Sequence, residues 1–464
     1  MSVISLRLDC VALPSYMNDV QEVVRAFSPY IVIDAEAEGY VSVAADMTCE
    51  GDMRVRIASS CAPAVEETCP APGKGELEDK RIFKSFVKRK LYSYCNRLTG
   101  ISLPYGSLTG VRPTAVYYRA IGSHSNIIDY LTEEYDVEPL RAKLIADVVA
   151  GQAPVYNSEG EGVDVFVNIP ICPTRCRYCS FISTEYARVR KLVPAYVDAV
   201  AEELEAIGAV IRRDDLKVRS VYFGGGTPTS LSAEELKRLV SLTSYGTEFT
   251  VEAGRPDSVT DEKMRVLAAG GVTRVSVNPQ TLKDSTLAAV GRKHTTAQFF
   301  EAFRIARGYG FDINTDLIAG LENETPDDFK ASLDGVIALS PENITVHSLS
   351  VKRGAALKED GVGKIADGRV KAMTEYAMEA LRSAGYIPYY MYRQKNTADG
   401  LENVGYCKPG KQCVYNVDYM EETNTVLSAG AGAVTKYVYS REGRFERKSN
   451  AKGFEEYLRR AGKL

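Results

Sequence analysis

The chain has 464 residues, enough for about three domains, and its 45% hydrophobic and 25% charged content is that of a soluble globular protein. A net charge of −4 gives no basic excess of the kind a general nucleic-acid binder carries, so no nucleic-acid partner is expected. No apolar run approaches the roughly 18 residues of a membrane span. Arg7 and Asp9 interrupt the apolar N-terminus where a signal peptide would be uniform, and ten cysteines in so long a chain make no disulfide framework, so a reduced, cytoplasmic protein is expected.

In chain order, residues 1–155 read as a separate α/β domain. Strands are expected at 2–8, 30–33, 40–44 and 53–58, with a helix at 20–27. Pro63, Pro70, Pro72, Gly73 and Gly75 predict a loop. A helix over 78–98 carries Lys80, Arg81, Lys84, Lys88, Arg89 and Lys90, which read as a solvated face or as a contact for an anionic ligand. PYGSLTGVRPTAVYYR, from Pro104, is punctuated as a loop with Arg112 as its conspicuous charge, and helices follow near 126–134 and 139–149. Glycines at 157–162 mark a boundary.

From Val163 the pattern changes to strand–helix alternation, over a core domain of residues 160–385. Strands are expected at 163–169, 218–223, 248–253, 274–278, 312–317 and 343–349, with the longest helix at 186–213. Ser232 with Glu235 makes a capping box, and Thr325 before Pro326 marks another helix start. Such alternation implies a parallel sheet, and six units make an incomplete (β/α)6 barrel with its site at the C-terminal strand ends. A mixed C-terminal extension, residues 386–464, opens with IPYYMYRQKN, a strand of aromatics ending in charge.

VDVFVNIPICPTRCRYCSFIS, from Val163, places Cys172, Cys176 and Cys179 in one short loop after the first core strand. Thiolates at such spacing bind soft metals or iron–sulfur clusters, and a closed zinc site would want four ligands. Three thiolates on a four-iron cubane leave one iron open to a small molecule.

The stretch resembles the CxxxCxxC loop of the radical S-adenosylmethionine (SAM) enzymes, and NIPICPTRCRYCSF resembles their oxygen-independent coproporphyrinogen III oxidase group. LTGVRPT, YYMYRQKN, LENVGY and AGAGAVTK are similar to the HemZ-type coproporphyrinogen dehydrogenases, which carry an extra N-terminal domain. The resemblance implies a [4Fe–4S] cluster on Cys172, Cys176 and Cys179, and SAM held by Gly224, Gly225, Gly226 and Thr227 of YFGGGTP, with Glu252, Gln280, Arg292 and Asp316 at successive strand ends. It also implies a porphyrinogen substrate and an electron donor such as flavodoxin or ferredoxin. The activity implied is oxidative decarboxylation of coproporphyrinogen III to protoporphyrinogen IX by a SAM-derived 5′-deoxyadenosyl radical. The substrate's four carboxylates need cationic partners, for which Arg393, Lys395 and Arg112 are the candidates, and Tyr389, Tyr390 and Tyr392 can pack against its ring.

Two departures from the HemN-type enzymes stand out: Phe181 replaces a fourth cysteine, and Phe166 replaces a tyrosine. A phenylalanine like Phe181 is also found in HemW-type heme chaperones. Heme carriage, or another radical reaction on heme, therefore stands as the alternative. Gly254–Arg255 departs from the Asn or Asp usual before the proline. Of the three histidines, His347 is placed on the sixth strand as a pocket candidate, while His124 and His294 are expected at the surface. Cys407 and Cys413 are expected to be buried or free thiols.

Overall fold

β-branched runs and helices with a single apolar stripe build two compact units, Met1–Ala146 with Arg393–Leu401, and Asp147–Tyr392 with Glu402–Leu464. The structure is a computed structural model that describes residues 4–10, 16–110, 112–181, 183–352, 354–360, 365–394, 397–439 and 444–464.

In the first unit, β1 (Ile4–Cys10), α1 (Met17–Ala26), β2 (Ile31–Ile33), β3 (Tyr40–Met47), β4 (Met53–Ser59) and β5 (Val65–Cys69) give a sheet of order β2-β1-β3-β4-β5. β5 was not expected. Val65 and Thr68 carry β-branched side chains into the stretch that prolines mark as a loop, and the segment pairs antiparallel with β4. Helix α2 (Glu76–Thr99) turns Phe83, Phe86, Val87, Leu91 and Tyr94 onto this sheet's core. Its basic face is already matched by carboxylates. Lys84 and Lys88 lie 2.8 and 3.1 Å from Asp19, Arg89 pairs with Glu134, and Lys90 pairs with Glu67. The solvated-face reading of this helix therefore fits better than the anion contact. Helices α3 (Thr114–Ala120), α4 (Ile127–Tyr135) and α5 (Pro139–Gln152) follow. Where a loop was expected, Pro113 instead caps the start of α3, a place where its missing N–H costs nothing.

The second unit runs β6 (Val163–Ile169), β7 (Ile171–Cys172), β8 (Thr184–Glu185), α6 (Tyr186–Val189), α7 (Val193–Arg213), β9 (Val218–Gly225), α8 (Ala233–Ser241), β10 (Glu248–Glu252), α9 (Asp261–Ala269) and β11 (Arg274–Ser276). It continues with α10 (Asp284–Ala289), α11 (Thr296–Gly308), β12 (Asp312–Ala319), α12 (Pro326–Ala338), β13 (Asn343–Ser348), α13 (Ala356–Glu359) and α14 (Arg369–Ser383). The chain ends with β14 (Ile387–Arg393), β15 (Glu402–Cys407), α15 (Val414–Glu421), β16 (Thr425–Ala429), β17 (Val434–Tyr439), β18 (Arg444–Ser449) and α16 (Phe454–Arg460). The helix expected over 186–213 is two helices, because Pro194 in the first turn of α7 cannot donate back to a preceding turn. Both expected caps form: Ser232 with Glu235 on α8, and Thr325 with Asp328 on α12.

Eleven strands join in the order β14-β15-β13-β12-β11-β10-β9-β6-β16-β17-β18. β6 and β9 to β13 are mutually parallel in chain order, β16 adds parallel to β6, and β15 adds antiparallel to β13. The expected alternation is therefore present as an α/β sheet. β14 and β18 stand at its two ends, and no pairing joins them among the described residues. The parallel register brings the carboxyl ends of six strands to one side, where ligands bind in such sheets. Among the described residues no helix is long and apolar enough to cross a membrane.

At the opposite ends, buried Arg274 ties the sheet together. Its guanidinium donates to Glu248 Oε2 at 3.0 Å, Asn343 Oδ1 at 3.1 Å and the Lys411 carbonyl at 3.0 Å. Arg274→Ala leaves the Glu248 carboxylate partly buried without its cation. It should cost about 3–5 kcal/mol of stability, read as a lowered midpoint of thermal unfolding.

Candidate active site at the strand ends

After β6 the chain doubles back. β7 pairs in parallel with β8, which closes residues 172–184 into a clip. Within it Cys172, Cys176 and Cys179 are half-buried and free of disulfides. Thr227 Oγ1 donates to Cys172 Sγ at 3.5 Å, and the Cys179 N–H donates to the Cys176 carbonyl at 3.1 Å. Burial pushes the Cys172 thiol up and the Cys179 thiol to about 11, so ligation would have to displace their protons. The three thiols do not converge on a single-ion site, and no such group forms among the described residues. A cubane cluster keeps its ligand sulfurs further apart than one ion does.

Arginines hold the clip. Arg255 Nη1 donates to Thr174 Oγ1 at 2.8 Å and to its carbonyl at 3.2 Å, while Asp257 takes the other side of the guanidinium. Arg292, only 5% exposed, donates to Tyr178 Oη at 3.1 Å, to the Gly254 and Asn278 carbonyls at 2.8 and 2.6 Å, and to His294 Nδ1 at 3.4 Å. Four of the five donors of a guanidinium are thereby matched within the chain. Arg292 thus links the cysteine clip to the ends of β10 and β11. His294, expected at the surface, is buried beside it, and burial with Arg292 lowers its imidazole to about 3.

The glycines after β9 serve the clip as well. Gly225 has φ of 94°, and a Cβ there would overlap Asn168 Oδ1. The Gly226 and Thr227 N–H groups donate to the Ile169 and Ile171 carbonyls at 2.9 and 2.8 Å. Both of these N–H groups are therefore used within the chain.

Two carboxylates face each other across β11. Asn278 Nδ2 donates to Asp316 Oδ2 at 2.9 Å and to Glu252 Oε2 at 3.4 Å, while Asn278 Oδ1 accepts the Asp316 N–H at 3.1 Å. Tyr222 Oη donates to Glu252, and Asn314 Nδ2 to Asp316 Oδ1 at 2.8 Å. Burial and the nearby Asp316 push Glu252 up to about 7. His347 stands on the far side, Nε2 at 3.6 Å from Asp316 Oδ2 and Nδ1 at 3.3 Å from Tyr392 Oη. Burial works against its charge, but Asp316 and Asn403 outweigh it and raise its imidazole. Gln280, beyond the end of β11, adopts φ of 69° and bridges to Leu317 of β12, its N–H on the Asp316 carbonyl at 3.0 Å. Its Oε1 is buried with no partner, an acceptor left for a ligand. Glu252, Gln280 and Asp316 are thus brought together, with Arg292 behind them as a brace.

Arg393 belongs to the first unit. It donates to the Leu108 carbonyl and to the Gly400 carbonyl at 3.2 Å, with its guanidinium 4.2 Å over the Tyr105 ring. Arg112 is half-buried just before α3, and Lys395 lies outside the described residues. Tyr389 and Tyr390 are packed into the core with Tyr415, so only Tyr392 of the three aromatics is half-exposed. Cys407 and Cys413 are buried there too.

Sequence reasoning missed Tyr222, Asn278 and Arg255. A signal existed for Asn278, a polar residue at a strand end two before Gln280. Tyr222 could have been read from strand alternation, since Val221 and Phe223 point to the opposite face.

Residues 168–335 match the Radical SAM superfamily model. The chain is 36% identical to the Bacillus subtilis oxygen-independent coproporphyrinogen-III oxidase-like protein HemZ, over 83% of this chain and 81% of that one. It is 29% identical to the Lactococcus lactis heme chaperone HemW, over 58% of this chain and 68% of that one. The fold resembles the Escherichia coli coproporphyrinogen III oxidase HemN, a radical SAM enzyme, with a TM-score of 0.51, 20% identity, and coverage of 69% of this chain and 72% of that one. The chain belongs to the radical SAM superfamily, in the HemZ-like group. Radical SAM membership carries with it a [4Fe–4S] cluster and SAM. Three free thiols in one clip and the orphaned Gln280 acceptor fit those groups.

The raised Glu252 carboxyl has a consequence for stability in this radical SAM protein. Between its ordinary 4.5 and about 7, the folded chain keeps a proton that the unfolded chain has released. Stability present below the lower value is therefore lost as pH rises through the upper one. Glu252→Gln does not titrate and can still accept from Tyr222. Its melting temperature relative to wild type should rise between pH 5 and pH 8. A difference that stays constant over that range would remove the buried-proton account.

Proposed function

We propose that the protein carries out oxidative decarboxylation of coproporphyrinogen III to protoporphyrinogen IX. The observation that carries this reading is the 36% identity to HemZ, sustained over a span longer than the second unit alone. We read the six parallel strands as an incomplete (β/α)6 barrel whose mouth is the strand-end site. Cys172, Cys176 and Cys179 would hold the cluster, and Gly224, Gly225, Gly226, Thr227, Glu252, Gln280 and Asp316 would hold SAM. When bound, these groups supply one-electron cleavage of a sulfonium to a 5′-deoxyadenosyl radical, which takes a hydrogen from a propionate side chain.

The chain's own part is placement and exclusion of water. The Glu252 and Asp316 carboxylates offer acceptors for the ammonium and hydroxyl groups of SAM, and Asn278 keeps the two at a fixed separation. Gln280 Oε1 adds a further acceptor. Arg292 and Arg255 hold the clip against the β10 and β11 ends, so cluster and SAM would be set by one rigid frame. Arg112, Arg393 and Lys395 are our candidates for the substrate's carboxylates.

Heme carriage remains the second reading, favoured by the HemW relatives and by Phe181. An anaerobic assay with coproporphyrinogen III, SAM and a reductant should give vinyl product. SAM cleavage without vinyl product would favour the carrier. Asp316→Ala and Glu252→Ala should each weaken SAM binding about 10- to 100-fold, the ~1.5–3 kcal/mol of a hydrogen bond to a charged group. Their iron content should stay at the wild-type level.

A further inference from the structure

Cleavage of a sulfonium consumes one electron, which must enter through the cluster from outside the chain. We propose that the outer face of the cysteine clip, formed by Phe181, Arg188, Arg190 and Lys191, is the docking surface for an acidic one-electron carrier protein. The inference rests on the cluster at Cys172, Cys176 and Cys179 and not on the identity of the porphyrinogen.

Three observations carry it. Phe181 is 66% exposed, among the most exposed large apolar side chains of the described residues, and it stands two positions after Cys179. A lone ring in water two residues from a cluster ligand has no packing role in the chain itself. Secondly, β8 sets Glu185 beside Cys172, so α6 and the residues that follow it start at the clip. This brings Arg188, 78% exposed in its side chain, and exposed Arg190 and Lys191 to the same edge. Residues 172–191 carry five cations against the single anion Glu185, in a chain whose net charge is −4. Thirdly, the inner and outer cations of the clip are used differently. Arg177 is held by Glu322 at 3.1 Å and Asp360 at 2.7 Å, and Arg175 by the Gly354 carbonyl at 2.7 Å. Arg190 and Lys191 have no ionic partner among the described residues, and Arg188 has only Glu185 at 3.4 Å.

An acidic carrier is repelled by the chain as a whole. A local cationic edge therefore decides where it approaches, and the exposed Phe181 ring gives it a small apolar contact to exclude water against. One electron leaves the carrier, which is oxidised by that one electron, and enters the cluster, which is reduced by it. No bond forms or breaks and no proton crosses the interface.

The test compares two reductants on the cluster-loaded protein without porphyrinogen. Fully reduced flavodoxin, an acidic flavoprotein, is one, and titanium(III) citrate, which needs no docking face, is the other. The Arg188→Glu, Arg190→Glu and Lys191→Glu triple variant should lower the second-order rate of cluster bleaching by flavodoxin at least 10-fold at low salt. It should also weaken direct binding of labelled flavodoxin. Cluster content and the titanium rate should match wild type, and the flavodoxin rates of the two proteins should converge as salt rises. Phe181→Ser should slow the flavodoxin reaction at every salt concentration. Equal flavodoxin rates in wild type and triple variant would overturn the proposal. So would equal loss with both reductants, which would make these residues supports of the clip. Failure to form vinyl product bears on the substrate reading alone, since this assay contains no porphyrinogen.

Discussion

Two carboxylates cannot both stand as free anions on one buried strand-end face, and the site is arranged around that constraint. Asn278 sits between Glu252 and Asp316 and donates to both, while Tyr222 and Asn314 satisfy the outer oxygens. The two acids then part in character. Glu252, enclosed and beside Asp316, is driven toward neutrality, whereas Asp316 has His347 Nε2 at 3.6 Å as a neighbour. A cationic ligand entering this face would meet carboxyl oxygens from two strands, held apart by the Asn278 amide. The same logic separates paired acids in many catalytic sites.

The frame around that pair depends on buried guanidinium groups. Arg255 beyond β10 and Arg292 in the turn after α10 each reach the cysteine clip, and Arg274 does similar work at the opposite end of the sheet. The planar fork of arginine suits this use, because it can meet two or three carbonyls at once without losing its charge. The clip itself has little apolar core, so these polar links and the short β7–β8 pairing set its position.

The core strands, the helix starts at Ser232 and Thr325 and the cysteine loop were legible in the sequence because each rests on local chemistry. β-branched runs, Ser232 three residues before Glu235, Thr325 directly before a proline, and thiols at short spacing are all local signals. β5 and α3 were not legible, since prolines that end one element also start another, and only the partner strand or the following helix tells which. The bonds from Arg292 to the Gly254 and Asn278 carbonyls were not legible, because they depend on contacts distant in sequence. His294 failed for the same reason. Nothing in VGRKHT shows that alternate residues of that turn are buried. Tyr389 and Tyr390 read as ring-binding aromatics, yet Gly405 on the neighbouring strand leaves room for Tyr390 to pack inward.

The Arg255–Thr174 contact has a consequence for how this chain has diverged. Where Asn or Asp precedes the proline in related enzymes, a short side chain cannot reach from the β10 end to the clip as the Arg255 guanidinium does here. The hydroxyl at 174 and the arginine at 255 therefore form a unit of exchange. Substitution of either partner removes a contact between segments 81 positions apart in the chain. A graft of either segment alone would leave the Arg255 guanidinium with Asp257 only, or the loop at Thr174 without its anchor, so the two segments transfer as one part.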